Sequence, residues 1–162
     1  MDRSFIENLV RLACEAAGAN GATLFLVQGE YLQPYVVHNL PQEYMAGIGP
    51  VRIGTQCCGR AVEHKRPWVV TDMLVDPLFA EGRGGAEASP IRAAFSVPVF
   101  QGENVIASLA CHYARPYTPT SADIERNENF AKLIGVSLLE LRGIAPQQLS
   151  FNSAQDAEAV AS

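Results

Sequence analysis

Two adjacent thiols, Cys57 and Cys58, are the residues of this sequence with the clearest chemical potential. They lie at the start of a short helix predicted over residues 56–65, which Thr55 is placed to cap. The positive end of a helix dipole lowers the pKa of a thiol and makes it more reactive. The unpaired backbone N–H groups there also bind anions, and Gly59 would let a ligand approach closely. The segment predicts a ligand-binding or thiol-reactive turn, although an ordinary helix cap with buried cysteines fits the same residues.

Further side chains predicted to complete this site lie on neighbouring strands and loops. They are Trp68, Phe79, Arg92, Phe95, Ser96 and Tyr113. The arginine can contact an anion, the hydroxyls can hydrogen-bond a ligand, and the aromatic rings can exclude water, which strengthens each hydrogen bond inside. Strand alternation puts Ser108 and Tyr113 on opposite faces, and we expect the tyrosine to line the site because its hydroxyl reaches further. The plain alternative is a surface arginine and core aromatic residues.

Composition and spacing argue against several other functions. The net charge of −5 disfavours sequence-independent binding to nucleic acid or to an anionic membrane. Since there is neither a long apolar run nor a signal peptide, we expect a cytoplasmic protein with reduced thiols. The cysteines match no zinc template, and Cys111 and His112 face opposite sides of a predicted strand. No catalytic triad, carboxylate pair or nucleotide fingerprint is present, so we expect neither a metal site nor an enzyme.

The elements that would position these residues are two terminal helices and a set of strands. Apolar residues recur at helical spacing over residues 5–17 and 121–141. Strands are predicted at residues 22–28, 31–38, 68–71, 93–100 and 105–113. The last two form a hairpin whose two faces are both apolar or small, so both should be covered. The order predicts an α+β domain in which the terminal helices share one face of the sheet and short helices and loops cover the other.

The chain fits a single domain at residues 1–145, followed by a C-terminal tail or linker at residues 146–162. The apolar face of the last helix is wider than one sheet can cover. We therefore expect a homodimer formed through the first and last helices.

Four stretches resemble the GAF domain family of sensory modules: residues 53–62, 67–77, 91–99 and 106–120. The resemblance spans roughly residues 5–142 and is closest to GAF modules found beside signalling domains in bacterial regulators. It implies a central antiparallel sheet of about six strands, with a small-molecule pocket between the sheet and its loop-side cover. It also implies terminal helices that join a dimeric bundle and pass a signal to a partner such as a histidine kinase.

The resemblance also leaves several ligands and roles open. Similar sensors use the corresponding helix start over their pocket, so a small anion such as nitrate is one candidate ligand. Bilin-binding and haem-binding relatives carry a cysteine or histidine near the position of residues 89–92, where this chain has neither, so we expect no cofactor. GAF-type free methionine sulfoxide reductases need further cysteines in the loop at residues 78–90, which has none. A thiol-based redox protein and a purely structural dimerisation domain remain the alternatives to a non-catalytic sensor.

Overall fold

The computed structural model describes residues 3–142, so the tail predicted at residues 146–162 lies outside the described part. Its elements, in chain order, are α1 (Arg3–Ala16), β1 (Gly21–Gln28), β2 (Tyr31–His38), α2 (Gln42–Ile48), β3 (Val51–Arg52), α3 (Gln56–His64), β4 (Trp68–Val70), a 3-10 helix (Pro77–Gly82), α4 (Arg83–Glu87), β5 (Ala93–Gln101), β6 (Asn104–Tyr113) and α5 (Ser121–Arg142).

The six strands form one antiparallel sheet in the order β3-β2-β1-β6-β5-β4. The two edge strands have only two and three residues, which limits the unpaired backbone that the sheet exposes. The predicted hairpin, β5 and β6, lies inside the sheet, and nearly all of its residues are buried. The predicted α+β class with about six strands is therefore confirmed.

The two terminal helices cover the same face of the sheet, which we call the helix face. The Cys111 thiol on β6 points to this side, 3.9 Å from the Ala13 carbonyl oxygen of α1 and 3.6 Å from Asn127 Oδ1 of α5. Arg126 Nη1 also donates to the Ala16 carbonyl at 3.1 Å, which joins the two helices directly. This arrangement confirms the predicted placement of both terminal helices on one side.

Three short helices, α2, α3 and α4, lie over the opposite face, which we call the site face. α3 packs across β5 and β6, whereas α2 and α4 pack against each other. The approach of α2 to α4 requires glycine, because a Cβ atom on Gly47 would lie 2.3 Å from the Gly85 Cα atom. Within residues 3–142, no helix is both long and apolar enough to cross a membrane.

Candidate functional site

The first turn of α3 has no side-chain cap. Thr55 has extended backbone angles, but its Oγ1 donates to the Arg52 carbonyl at 2.8 Å. Gln56 follows with a φ of 56°, and its buried side chain donates from Nε2 to the Ile48 carbonyl at 3.1 Å. No side-chain oxygen therefore accepts a hydrogen bond from the backbone N–H groups of the first turn. The predicted anion-binding turn requires such uncapped N–H groups.

Gly59 is required by the backbone of the turn itself. A Cβ atom here would lie 2.3 Å from the Arg52 carbonyl oxygen and 3.2 Å from the Gly54 nitrogen. The Gly59 carbonyl also accepts a hydrogen bond from the Gly54 N–H at 2.9 Å. We expected a ligand to approach closely at this glycine. The chain's own β3–α3 segment occupies that position instead.

The two thiols of α3 meet one serine hydroxyl on the site face. Ser96 Oγ on β5 lies 3.3 Å from Cys57 Sγ and 3.4 Å from Cys58 Sγ. Cys57 Sγ also points at the Trp68 carbonyl oxygen, at 3.4 Å. The Ser108 hydroxyl on β6 is fully buried and makes no close hydrogen bond among the described residues, although it lies near enough to Cys58 to lower the pKa of that thiol. These atoms place polar groups from one helix and two strands together in an apolar core.

Burial controls the chemistry of these thiols. It raises the pKa of Cys57 well above its ordinary value, and the neighbouring Cys58 raises it further, against the opposing hydrogen bond from Ser96. Burial likewise raises the pKa of Cys58, against hydrogen bonds that favour its thiolate. The lowered pKa that we expected from the helix dipole is therefore outweighed by desolvation, and both thiols are protonated at neutral pH.

Four buried polar side chains surround Ala110 at the centre of the site face. Ala110 pairs with Ser96 on β5 and with Thr23 on β1, while Ser108 and His112 lie two residues away on β6 itself. All four polar residues are at most 3% exposed. We call them the polar ring. Residues two apart on a strand share a face, so all four polar side chains lie on the site face. The small Ala110 side chain between them does not separate their polar groups.

His112 connects this ring to the helices above it. Its Nε2 lies 3.0 Å from Thr23 Oγ1, and its Nδ1 lies 3.1 Å from the Tyr44 hydroxyl of α2. Burial lowers the pKa of His112 to about 3, so the imidazole is neutral at physiological pH. A neutral imidazole donates at one nitrogen and accepts at the other, and both of its bonds are therefore satisfied inside the protein.

Two predicted site residues lie on the wrong side of the sheet. Tyr113 lies on the helix face, where its hydroxyl donates to the Ala17 carbonyl at 2.8 Å and its ring stacks on Tyr117. Phe95 belongs to the same cluster. Neither residue reaches α3, because strand alternation sends them away from Ser96. Ser108, which we ranked below Tyr113, is the residue on the site face.

The Arg92 guanidinium donates hydrogen bonds to backbone carbonyl groups. Its Nη1 lies 2.6 Å from the Ala86 carbonyl oxygen, 2.8 Å from that of Ser89 and 2.7 Å from that of Ile91. Two of these carbonyls belong to the C-terminal part of α4 and the turn that follows it, where a cation is favourable. The guanidinium therefore fastens α4 to the start of β5, and its predicted contact with an anion would require these bonds to break.

The remaining aromatic candidates have different environments. Phe79 is 1% exposed in the 3-10 helix beside α3, and it packs in the main core. Trp68 lies on the edge strand, partly buried, with the His64 ring stacked on it at 4.8 Å and the Arg66 guanidinium 5.2 Å from its ring centre. Phe79 thus lines the cover of the site face, whereas Trp68 borders solvent.

Our sequence reasoning missed Thr23 and Tyr44, which hold His112. The signal available was the histidine itself, since a buried imidazole needs two hydrogen-bond partners. Nothing in the local sequence identifies those partners, because they are 89 and 68 residues away along the chain.

The chain belongs to the GAF domain family, since the model of that family matches residues 3–138. A comparison with curated protein sequences found no match. The fold is shared with solved structures at low sequence identity, which establishes the fold alone.

Three of these structures show the range of proteins that carry this fold. A domain of a putative two-component sensor histidine kinase from Sinorhizobium meliloti has a TM-score of 0.73 and 15% identity, over 88% of this chain and 93% of that chain. The GAF domain of a phosphoenolpyruvate-protein phosphotransferase from Coxiella burnetii has a TM-score of 0.71 and 14% identity, over 85% and 84%. Free methionine-R-sulfoxide reductase from Neisseria meningitidis has a TM-score of 0.66 and 18% identity, over 86% and 85%.

Proposed function

We propose that this protein is a non-catalytic sensory module that binds a small polar molecule between the polar ring and the first turn of α3. The observation that carries the proposal is the buried Ser108 hydroxyl, which makes no close hydrogen bond among the described residues and has beside it the Cys58 thiol, a weak hydrogen-bonding group. A buried hydroxyl without a hydrogen bond costs about 1–3 kcal/mol. A ligand that accepts or donates a bond at Ser108 removes that cost, and this gain favours binding.

A small anion such as nitrate is the first candidate ligand. The N–H groups in the first turn of α3 supply donors and the positive end of the helix dipole. The neutral His112 contributes hydrogen bonds but no charge. With Arg92 bound to carbonyl groups, the ligand would rely on neutral donors, so we expect a small, weakly hydrated anion to bind better than a phosphate.

The output would pass through a homodimer of the terminal helices to a partner such as a histidine kinase. Four large apolar side chains on α1 and α5 are exposed to solvent: Phe5, Leu12, Leu133 and Val136. Exposed apolar groups on two adjacent helices favour association with a second copy. The similar domain from a sensor histidine kinase supports this type of partner.

Reductase activity on methionine sulfoxide is the alternative that the similar enzymes suggest. The environment of Cys57 and Cys58 opposes it, because a buried, protonated thiol is a poor nucleophile. Turnover of free methionine sulfoxide with a thiol reductant, lost in Cys58→Ser, would instead establish the enzyme.

The test of the sensor proposal is a thermal-shift screen with nitrate, nitrite, small carboxylates and cyclic nucleotides. A ligand at about a hundred times its dissociation constant adds about 2.7 kcal/mol to the free energy of unfolding. We expect at least one compound to raise the melting temperature of the wild type and of Tyr113→Phe, which alters only the helix face. Ser108→Ala should reduce that rise. If no compound raises the melting temperature, the structural dimerisation domain is the better explanation.

A further inference from the structure

Three large apolar side chains are exposed on the segment that follows β4. Leu74, Val75 and Leu78 are 39%, 71% and 46% exposed, and they lie within five consecutive residues. We call these three residues the apolar loop. A single exposed apolar side chain is common on protein surfaces, whereas a contiguous group of them marks a surface that contacts another molecule.

Hydrogen bonds fix the conformation of the apolar loop before anything binds to it. Asp72 Oδ1 accepts a bond from the Leu74 N–H at 3.1 Å, and Asp76 Oδ1 accepts one from the Leu78 N–H at 2.9 Å. Arg60 Nε donates to the Leu78 carbonyl at 3.2 Å, so α3 also holds the loop. A surface that is already ordered loses less conformational entropy when a partner docks on it.

Positive charge is concentrated beside this loop, in the second half of α3 and just after it. The guanidinium groups of Arg60 and Arg66 lie 5.9 Å and 5.2 Å from the ring centre of Trp68, and Lys65 Nζ donates to the Glu103 carbonyl at 3.4 Å. We call Arg60, Lys65 and Arg66 the cation cluster. Within residues 3–142, none of these three cations forms an ion pair with a carboxylate. Their charge is therefore available to an anionic partner, although the whole chain carries a net charge of −5.

We propose that the apolar loop and the cation cluster form one docking surface for an amphipathic helix of a partner protein, with acidic residues beside the apolar face of that helix. Arg60 connects the two groups, because its side chain bonds the Leu78 carbonyl and also lies over the Trp68 ring. Tryptophan and arginine are the residues that most often supply binding energy at protein interfaces. The surface lies beside β4 at one edge of the sheet, separate from the exposed apolar residues of α1 and α5 in the proposed dimer.

The distribution of charge favours a protein partner over a small anion or a membrane. Three separate cations match several carboxylates spaced along one side of a helix better than they match a single small anion. An anionic membrane would be repelled by the net charge of −5. It would also remove water from the carboxylates of Asp72 and Asp76, which lie in the same segment as the apolar side chains.

The fluorescence of Trp68 reports contact at this surface, because Trp68 is the single tryptophan of the chain. The probes are two synthetic helical peptides with the same leucine stripe, one flanked by glutamate and the other by lysine at the same positions. We expect a saturable change in Trp68 emission with the glutamate peptide, and an affinity that falls as the salt concentration rises. The lysine peptide should bind at least about ten-fold more weakly. Equal binding of the two peptides, or no saturable change with either, would overturn the proposal.

Two substitutions test the two parts of the surface separately. Val75→Ser and Arg66→Gln should each weaken binding of the glutamate peptide at least about five-fold, with urea unfolding unchanged because both side chains are exposed. Val37→Ser and Lys132→Gln are the matched controls, since these residues are exposed elsewhere on the molecule, and both should keep the wild-type affinity. An equal loss of affinity in the test and control variants would contradict the assigned surface.

The same variants distinguish the other possible occupants. Binding to phosphatidylglycerol vesicles that is lost in Val75→Ser and Arg66→Gln would assign the surface to a membrane and overturn the proposal. Self-association that is lost in these two variants but kept in Leu133→Glu would assign it to a second copy of the chain, with the same consequence. The peptide titration needs no ligand in the polar ring, so its outcome is independent of the anion screen.

Discussion

Acid should destabilise this protein specifically through His112. Burial lowers the pKa of His112 to about 3 from its ordinary 6.5. Between these two values the unfolded chain binds one more proton than the folded chain, so the stability that the neutral imidazole provides is complete above pH 6.5 and is lost as the pH falls towards 3. From pH 7 to pH 4.5 this loss is about 2.5 kcal/mol, by linkage between the two pKa values.

The assay is urea unfolding of the wild type and of His112→Gln at pH 7 and at pH 4.5. Glutamine keeps a donor and an acceptor but cannot take up the proton, so the variant should be less stable than the wild type at pH 7 and should lose about 2.5 kcal/mol less on acidification. His64→Gln is the control, because His64 is exposed and stacks on Trp68 at the surface. It should follow the wild type.

Carboxyl groups also titrate in this pH range, but their contribution is common to all three proteins and cancels in the comparison. Equal losses in the wild type and His112→Gln would refute the reasoning. They would mean that His112 is protonated in the folded state, or that the Thr23 and Tyr44 bonds hold a charged imidazole.

Three further predictions concern packing and assembly. Gly59→Ala should lower the free energy of unfolding in urea by at least about 2 kcal/mol, because the added Cβ atom meets a backbone carbonyl oxygen. Gly84→Ala is the control and should not change the stability, because a Cβ atom there has nothing within 4 Å. Equal effects of the two substitutions would show that the loop beside Gly59 moves aside. Tyr44→Phe should cost about 1–3 kcal/mol in the same assay, because it removes a hydroxyl from a buried imidazole nitrogen, and an unchanged stability would show that the bond is not made. Leu133→Glu and Val136→Glu should convert a sedimenting dimer to monomer with the fold retained, and a wild type that is already monomeric at micromolar concentration would exclude the interface.

The apolar residues of α5 could be identified from their spacing, but their burial could not. Its spacing predicted an apolar face wider than one sheet covers, and the structure divides that face. Ile134 and Leu138 are fully buried against the sheet, while Leu133 and Val136 are more than half exposed. Periodicity identifies the apolar residues of a helix, but the direction from which the sheet approaches decides which of them it covers.

The sequence by itself determined the α+β class, the terminal helices on one face and the antiparallel hairpin, because these depend on local periodicity and on the order of elements. It also determined, by strand alternation, that Ser108 and Tyr113 face opposite sides. Only the tertiary structure decided which of those sides α3 covers, and it placed Tyr113 and Phe95 on the other side, away from the proposed site.

The chemistry of the site was decided in the same way. The helix start predicted activated thiols at Cys57 and Cys58, but the sheet that buries them raises their pKa. The partners of His112 come from β1 and α2, which no local pattern connects to β6. A helix dipole can be read from a few consecutive residues, whereas desolvation and long-range hydrogen bonds arise only when distant segments of the chain pack together.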